Sequence, residues 1–453
     1  MLEAWKRLLL CSRSAGGGTE AFSLTVLVMP PPMDSTPALT SSEASSQVAS
    51  GDGIVAHHLP AVVHPTDRSV YPSDYIRLFA PHVKEAIAGS AAPVAAVVFD
   101  FFATTLLDVA HDLAVPAYVY FTSAAATLAF MLRSPALFDE ESAACWLREK
   151  QGAVDVPGMP PVPVTSMPSP EQNDYAWFVY YGRRFTEARG IVVNTAAELE
   201  PGVLASIADG RCTPGAPPVY PIGPVLSQKP PRTATDRSPA PPHECVRWLD
   251  GQPPASVVFL CFGSMGWMDA RQARESFLWV LRGPPPAAGT SLYPTPTDAD
   301  LGDLLPNGFL ERTKGTGLVW PTWAPQSEIL AHASVGGFVT HSGWNSVLES
   351  LWHGVPMAPW PLYAEQPLNA FELVACMGVA VELRVRDSFV EAAELERAVR
   401  SLMGGSEEGR KTREKAMETK AACRRAVEKG GSSYAAAQEV VQDIVQSYGS
   451  RQR

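Results

Sequence analysis

Residues 323–366 read WAPQSEILAHASVGGFVTHSGWNSVLESLWHGVPMAPWPLYAEQ, and this stretch decides the fold. A Trp- and Pro-bearing loop leads into an apolar run, Gly337 to Thr340, with the character of a buried strand. The turn His341-Ser342-Gly343-Trp344 follows, then a helical pattern that stops at Gly354 with Pro356 just beyond. Gly supplies a left-handed C-cap, and Pro cannot continue a helix. Strand, Gly-bearing turn and helix N-terminus together make an anion site. The first N–H groups of a helix lack partners, and the helix dipole is positive at that end. His341, Asn345 and Ser346 furnish that end, which suits phosphate rather than carboxylate chemistry.

Working outward, the run VAAVVF (94–99) ends at Asp100 and reads as a buried parallel strand, as do Ala117–Phe121, Ser23–Met29 and Gly190–Val193. Thr104 to Leu113 reads as a helix with Leu106, Leu107, Val109 and Ala110 inward. From about Ile222 to His243 the composition turns to Pro, Ser, Thr and basic residues, the mark of a linker. Beyond it, strands at Val257–Phe262, Phe277–Val280 and Gly337–Thr340 alternate with helices, and a charged helical stretch from about Glu391 leads to a final helix near Tyr434–Gln446. This alternation on both sides of a linker predicts an α/β protein of two doubly wound, Rossmann-like domains facing a cleft. The expected division is residues 1–222, a linker at 223–243, residues 244–433, and a C-terminal helix and tail at 434–453.

A chain of 453 residues exceeds a single core, which supports two domains. A net charge of −11 and a pI near 5.4 argue against nucleic acid or anionic membranes as partners. The seven Cys show no CxxC pair or metal-ligand spacing and read as free thiols in a reducing compartment. No window approaches the roughly eighteen apolar residues of a membrane helix. The start, MLEAWKRLLLCS, is a poor signal peptide, so a cytoplasmic protein is expected.

Position by position, residues 323–366 resemble the donor-binding signature of plant family-1 UDP-sugar glycosyltransferases of the flavonoid and phenolic glucosyltransferase type. Both ends are present, Trp-Ala-Pro-Gln and the closing Glu-Gln, and one departure is visible, Ser342 where Cys is usual. The resemblance implies a GT-B architecture with donor in the C-terminal half and acceptor in the N-terminal half. It assigns Trp323 to stacking on uracil, and Gln326 with the Ala324 backbone to the edge of the ring; stacking plus an amide suits a pyrimidinedione. It puts the diphosphate at His341, Asn345 and Ser346, with Gly343 allowing close approach. Glu349 would hold ribose hydroxyls; the alternative is a capping box, Ser346-x-x-Glu349. Glu365 and Gln366, with Trp344 nearby, would hold the sugar, and Gln at the last place points to UDP-glucose. Ser264, after the strand ending CFGS, would touch the nucleotide.

Standing alone, several of these have plainer readings: Trp323 packed under a Pro loop, Glu365-Gln366 as a surface pair, Gly263-Ser264 as a common α/β turn. Asp100 by resemblance orients a catalytic His and stabilises its charge; helix N-capping is the alternative. Phe101, Tyr120, Phe121, Trp177 and Phe178 could line a pocket for flat phenolics, with core packing the commoner role. No metal is expected, and no Asp-x-Asp metal motif ahead of the donor loop. The partners implied are a UDP-sugar and a small phenolic acceptor, with the chain a monomer.

Two departures stand out. The His that Asp100 should serve follows the first strand in the family, whereas here Met1–Leu8 reads as the helix after it. His57, His58 and His64 read as loop, and His82 and His111 as helical. Residues 265–276 leave only a short crossover, MDARQARE, between two parallel strands. The expectation is an inverting glucosyltransferase with an N-terminal domain lacking its first strand; the alternative is a truncated member that binds UDP-sugar with little turnover.

Overall fold

The computed structural model of the chain describes residues 3–4, 6–8, 22–30, 54–63, 72–139, 152–168, 174–226, 243–263, 276–284, 296–385 and 389–452. In the N-terminal half, β1 (Leu24–Val28) pairs in parallel with β2 (Ile54–His58). A second parallel sheet holds β3 (Val97–Asp100), β4 (Ala117–Phe121), β5 (Gly190–Val193) and β6 (Val219–Pro221), in that spatial order. Every residue of β4 and β5 is buried, as apolar runs covered on both faces must be. The helix α1 (Ala125–Asp139) follows β4. Leu106, Leu107, Val109 and Ala110 all point inward, as their spacing predicts, although the first turn is a 3-10 helix, Phe101–Leu106.

Among the described residues no strand joins β1 to β3. The two sheets nevertheless share their covering layers: Leu24 and Val98 pack into one apolar cluster, Leu27 and Val97 into another. His57 and His58 end β2 rather than lying in a loop. Ile54 and Val55 favour extended backbone, and pairing with β1 carries the histidines into the ladder. His64 lies outside the described residues.

The C-terminal half is a five-stranded parallel sheet of β7 (Val257–Cys261), β8 (Phe277–Val280), β9 (Gly317–Trp320), β10 (Val335–Thr340) and β11 (Met357–Pro359). The spatial order is β9-β8-β7-β10-β11. The order turns back between β7 and β10, the switch point where doubly wound sheets bind ligands. Three helices flank this region: α2 (Gln326–Leu330), α3 (Trp344–His353) and α4 (Gln366–Phe371). β10 starts at Val335, two residues ahead of the apolar run. A Cβ on Gly336 would meet the Ala255 carbonyl oxygen at 2.6 Å, so the glycine is a packing residue within a strand rather than a loop signal.

The last helix, α5 (Ser432–Arg451), returns to the N-terminal sheet. Val440 and Val441 pack with Tyr118 and Tyr120, and the Arg189 guanidinium donates to both oxygens of Asp443, at 2.9 and 2.6 Å. The 227–242 part of the linker, the short crossover and Ser264 lie outside the described residues. Among the described residues no helix is long and apolar enough to cross a membrane.

Candidate active site

The ladders between β7 and β10 set Thr340 level with Cys261, which brings the residues after both strands together. Cβ atoms placed on Gly263 and Gly343 would come within 2.7 and 2.5 Å of His341 Nε2. Only glycine at both positions lets this ring nitrogen sit between two backbones at the N-terminus of α3. His341 is buried, and burial pulls its pKa from 6.5 to about 4, so it is neutral near pH 7. Its Nδ1 has no hydrogen-bond partner. Ser342 takes the left-handed region at φ 66°, steadied by Thr340 Oγ1, which accepts from its N–H at 3.2 Å, and by Asn369 Nδ2, which donates to its carbonyl at 2.9 Å.

Gly343 is the N-cap of α3, so Ser346 already lies in the first turn and the Ser346-x-x-Glu349 capping box does not form. Glu349 Oε2 instead accepts from Gln326 Nε2 at 2.8 Å, and the same amide donates to Ser346 Oγ at 3.0 Å. The ends of α2 and α3 are thereby tied by one side chain. Beside them Trp323 is 63% exposed, which excludes the packed reading; Ala324 beneath it is buried. His243 sets its ring edge toward Trp320 at 5.0 Å and Trp323 at 6.4 Å. Asn345 is exposed.

Trp344 turns its indole away from solvent. Its ring is buried, and Nε1 donates to the Asn194 carbonyl at 2.7 Å, anchoring the start of α3 to the N-terminal half. An indole has one polar atom, and here that atom is spent on the interdomain contact. Glu365-Gln366 is no surface pair. Gln366 is buried, its Oε1 accepting from the Leu362 and Tyr363 amides at 2.8 and 3.1 Å, and Glu365 Oε1 accepts from Ser123 Oγ at 3.2 Å.

In the N-terminal half, Asp100 closes β3 and does cap the following turn: Oδ1 accepts from the Phe102 amide at 3.0 Å. Burial pushes its carboxyl from 3.8 to about 6 against that bond. Tyr120 and Phe121 are core residues, whereas Phe101, Trp177 and Phe178 are half-buried in an aromatic cluster around Tyr181 and Phe130.

The chain does carry an Asp-x-Asp, Asp298-Ala299-Asp300, contrary to expectation. Asp298 lies 3.5 Å from Arg282, and Asp300 caps a short helix through the Gly302 amide, so both carboxylates have partners. Asp108, His111 and Glu187 also cluster, but Arg184 lies 2.8 Å from each of the two acids. Ser123, Asn194 and His243 were not legible as site residues, because their roles depend on contacts between distant segments.

Residues 304–418 match the family model described as UDP-glucoronosyl and UDP-glucosyl transferase. The chain is 56% identical to malvidin galactosylase UGT88C3 of Oryza sativa subsp. japonica, over 98% of this chain and 94% of that one. It belongs to the plant UDP-glycosyltransferase family. An anthocyanidin 5,3-O-glucosyltransferase of a Rosa hybrid cultivar is 38% identical, over 87% of this chain and 84% of the relative. A UGT transferase from Siraitia grosvenorii, solved in complex with UDP, superposes with a TM-score of 0.81 at 35% identity, covering 98% of this chain and 97% of that one. The fold is GT-B, and the enzyme class is UDP-sugar-dependent glycosyl transfer.

Proposed function

We propose that this glycosyltransferase moves glucose from UDP-glucose to a hydroxyl of a flavonoid-type phenolic, with inversion at the anomeric carbon. The observation that carries the reading is Trp323, an exposed ring beside the Gln326–Ser346–Glu349 cluster and the N-terminus of α3. A uracil stacked on Trp323 would meet the Gln326 carbonyl oxygen, or compete for its amide hydrogens. The ribose would compete for Glu349. The diphosphate would take neutral His341, Ser346, Asn345 and the free amides of α3. Neutral donors and a fixed dipole can carry the charge that develops on departing UDP without a metal. Gln366 would meet the sugar with its amide nitrogen, since its carbonyl is spent on the 362–363 turn.

Asp100 supplies the carboxylate at the proton-removing end of the site. The acceptor oxygen loses its proton there, attacks the anomeric carbon, and UDP leaves with the electron pair of the broken bond. A second reading, galactose as the transferred sugar, is favoured by the name of the 56% identical relative. Incubating the protein with each UDP-hexose and a flavonoid, then determining the product's anomeric configuration, separates the readings. A β-linked glucoside from UDP-glucose is expected. A galactoside formed in preference sinks the glucose assignment, and UDP binding without any glycoside sinks the transfer itself. Gln366→His should lower the use of UDP-glucose relative to UDP-galactose.

A further inference from the structure

Glu200 and Glu372 are both buried, at 3% and 2% exposure, and they come from different halves of the chain. Glu200 stands just before the helix Pro201–Ala208, and Glu372 opens the π-helical turn Glu372–Cys376 that continues α4. Glu200 accepts from the amides of Ala125 and Ala126, at 3.0 and 2.7 Å, and so caps the start of α1. Its other close partner is the carboxyl of Glu372. Two buried carboxyls in hydrogen-bond contact cannot both be ionised. Burial raises Glu200 as well, but it takes two backbone donors that favour a carboxylate, so the proton belongs to Glu372, which donates across the interface. Burial and the Glu200 charge both raise Glu372 well above 4.5.

The pair sits where the sugar end of the donor site meets the N-terminal half. α1 begins just after Ser123, which donates to Glu365, and α4 carries Gln366 and Asn369. On the Glu372 segment, the Cys376 thiol is pushed up to about 11 by burial and by both acids, and Glu365 holds its own bond to Ser123. Arg133 on α1 acts on Cys212. The 3-10 turn Val164–Ser166, packed on α4, has no titratable side chain.

We propose that Glu372 and Glu200 form a one-proton latch between the two halves, and that it positions Glu365 and Gln366 for donor binding. Glu372 is a positioning residue and touches no substrate. Loss of the proton would leave two buried carboxylates in contact, and the interface would part.

For a carboxyl whose folded pKa is raised, the folded state binds the extra proton. Stability is therefore lost as pH rises from the unfolded value, near 4.5, through the raised folded value. Glu372→Gln keeps a neutral donor of the same shape and removes that loss. The melting temperature of full-length Glu372→Gln should exceed that of the parent by a margin that widens from about pH 5 to about pH 8. This readout needs no ligand, so it stands even if the donor-site reading on which the latch's role rests were to fail.

Titration with UDP is the second readout. The parent Kd should weaken at alkaline pH, by up to about tenfold per pH unit above the Glu372 value, while Glu372→Gln binds evenly. Glu372→Ala should bind weakly at every pH. A constant melting-temperature difference between parent and Glu372→Gln would overturn the latch. An unchanged alkaline loss of UDP affinity in Glu372→Gln would overturn its link to the donor site. A parent that binds no UDP at any pH would count against the donor reading alone.

Discussion

His341 follows β10 and Asp100 closes β3, so each half of the molecule sets one titratable side chain at the carboxyl end of a buried parallel strand. Burial pushes both toward their neutral forms, His341 down to about 4 and Asp100 up to about 6. The consequences differ. His341 lies far from its titration at neutral pH and behaves as a fixed dipole held between two glycines. Asp100 is ionised at pH 7 but close to its midpoint, the condition in which a carboxylate can exchange a proton. Under the proposed function one half would hold the donor and the other would take the acceptor's proton, and burial sets the charge state of both groups.

If that contrast is right, substitutions in the two halves should separate binding from turnover. Asp100→Asn should give the largest effect, lowering turnover roughly 10²-fold or more, the usual worth of proton transfer. The parent's kcat/KM should rise with pH through about 6 as Asp100 ionises, and that limb should vanish in the variant. The stability held by the protonated carboxyl is lost as pH rises from 3.8 through about 6, so the substitution should not lower the melting temperature at pH 7.

Next in size is Trp323→Ala. Loss of a stacking plate worth roughly 1–3 kcal/mol should weaken UDP-sugar binding about 10- to 100-fold in KM. The melting temperature should hold, because the ring is already 63% exposed.

Gly343→Ala places a Cβ 2.5 Å from His341 Nε2 and should displace the ring, weakening UDP by about tenfold at an overpacking cost of roughly 1–3 kcal/mol. Equal affinity in this variant would mean that His341 is not fixed as described. The smallest change is expected of Glu349→Gln. It keeps an acceptor for Gln326 but loses the charge, so a few-fold loss, about 1 kcal/mol, should appear in UDP titration.

The C-terminal half was the more legible in sequence because its signals are local. A strand, a Gly-bearing turn and a helix stop lie within 44 consecutive residues, 323 to 366, and β10 and α3 appear where that pattern requires them. What escaped there was two-sided use of one side chain. Trp344 reads as a site aromatic until its Nε1 is seen on Asn194, 150 positions away. The N-terminal half was less legible because its organisation rests on distant pairing. The strand character of His57 and His58 comes from β1, and the capping role of Glu200 from a helix 74 and 75 residues earlier. A short apolar run gives strand type, but carries no information about which neighbour completes the sheet.

The sharpest test is one calorimetric UDP titration run on three proteins: the parent, Trp323→Ala and Asp100→Asn. Single-site binding is expected of the parent, with a Kd weakened about 10- to 100-fold in Trp323→Ala and an unchanged Kd in Asp100→Asn despite its lost turnover. Equal affinity in the parent and Trp323→Ala, or a matching loss of affinity in Asp100→Asn, would contradict it.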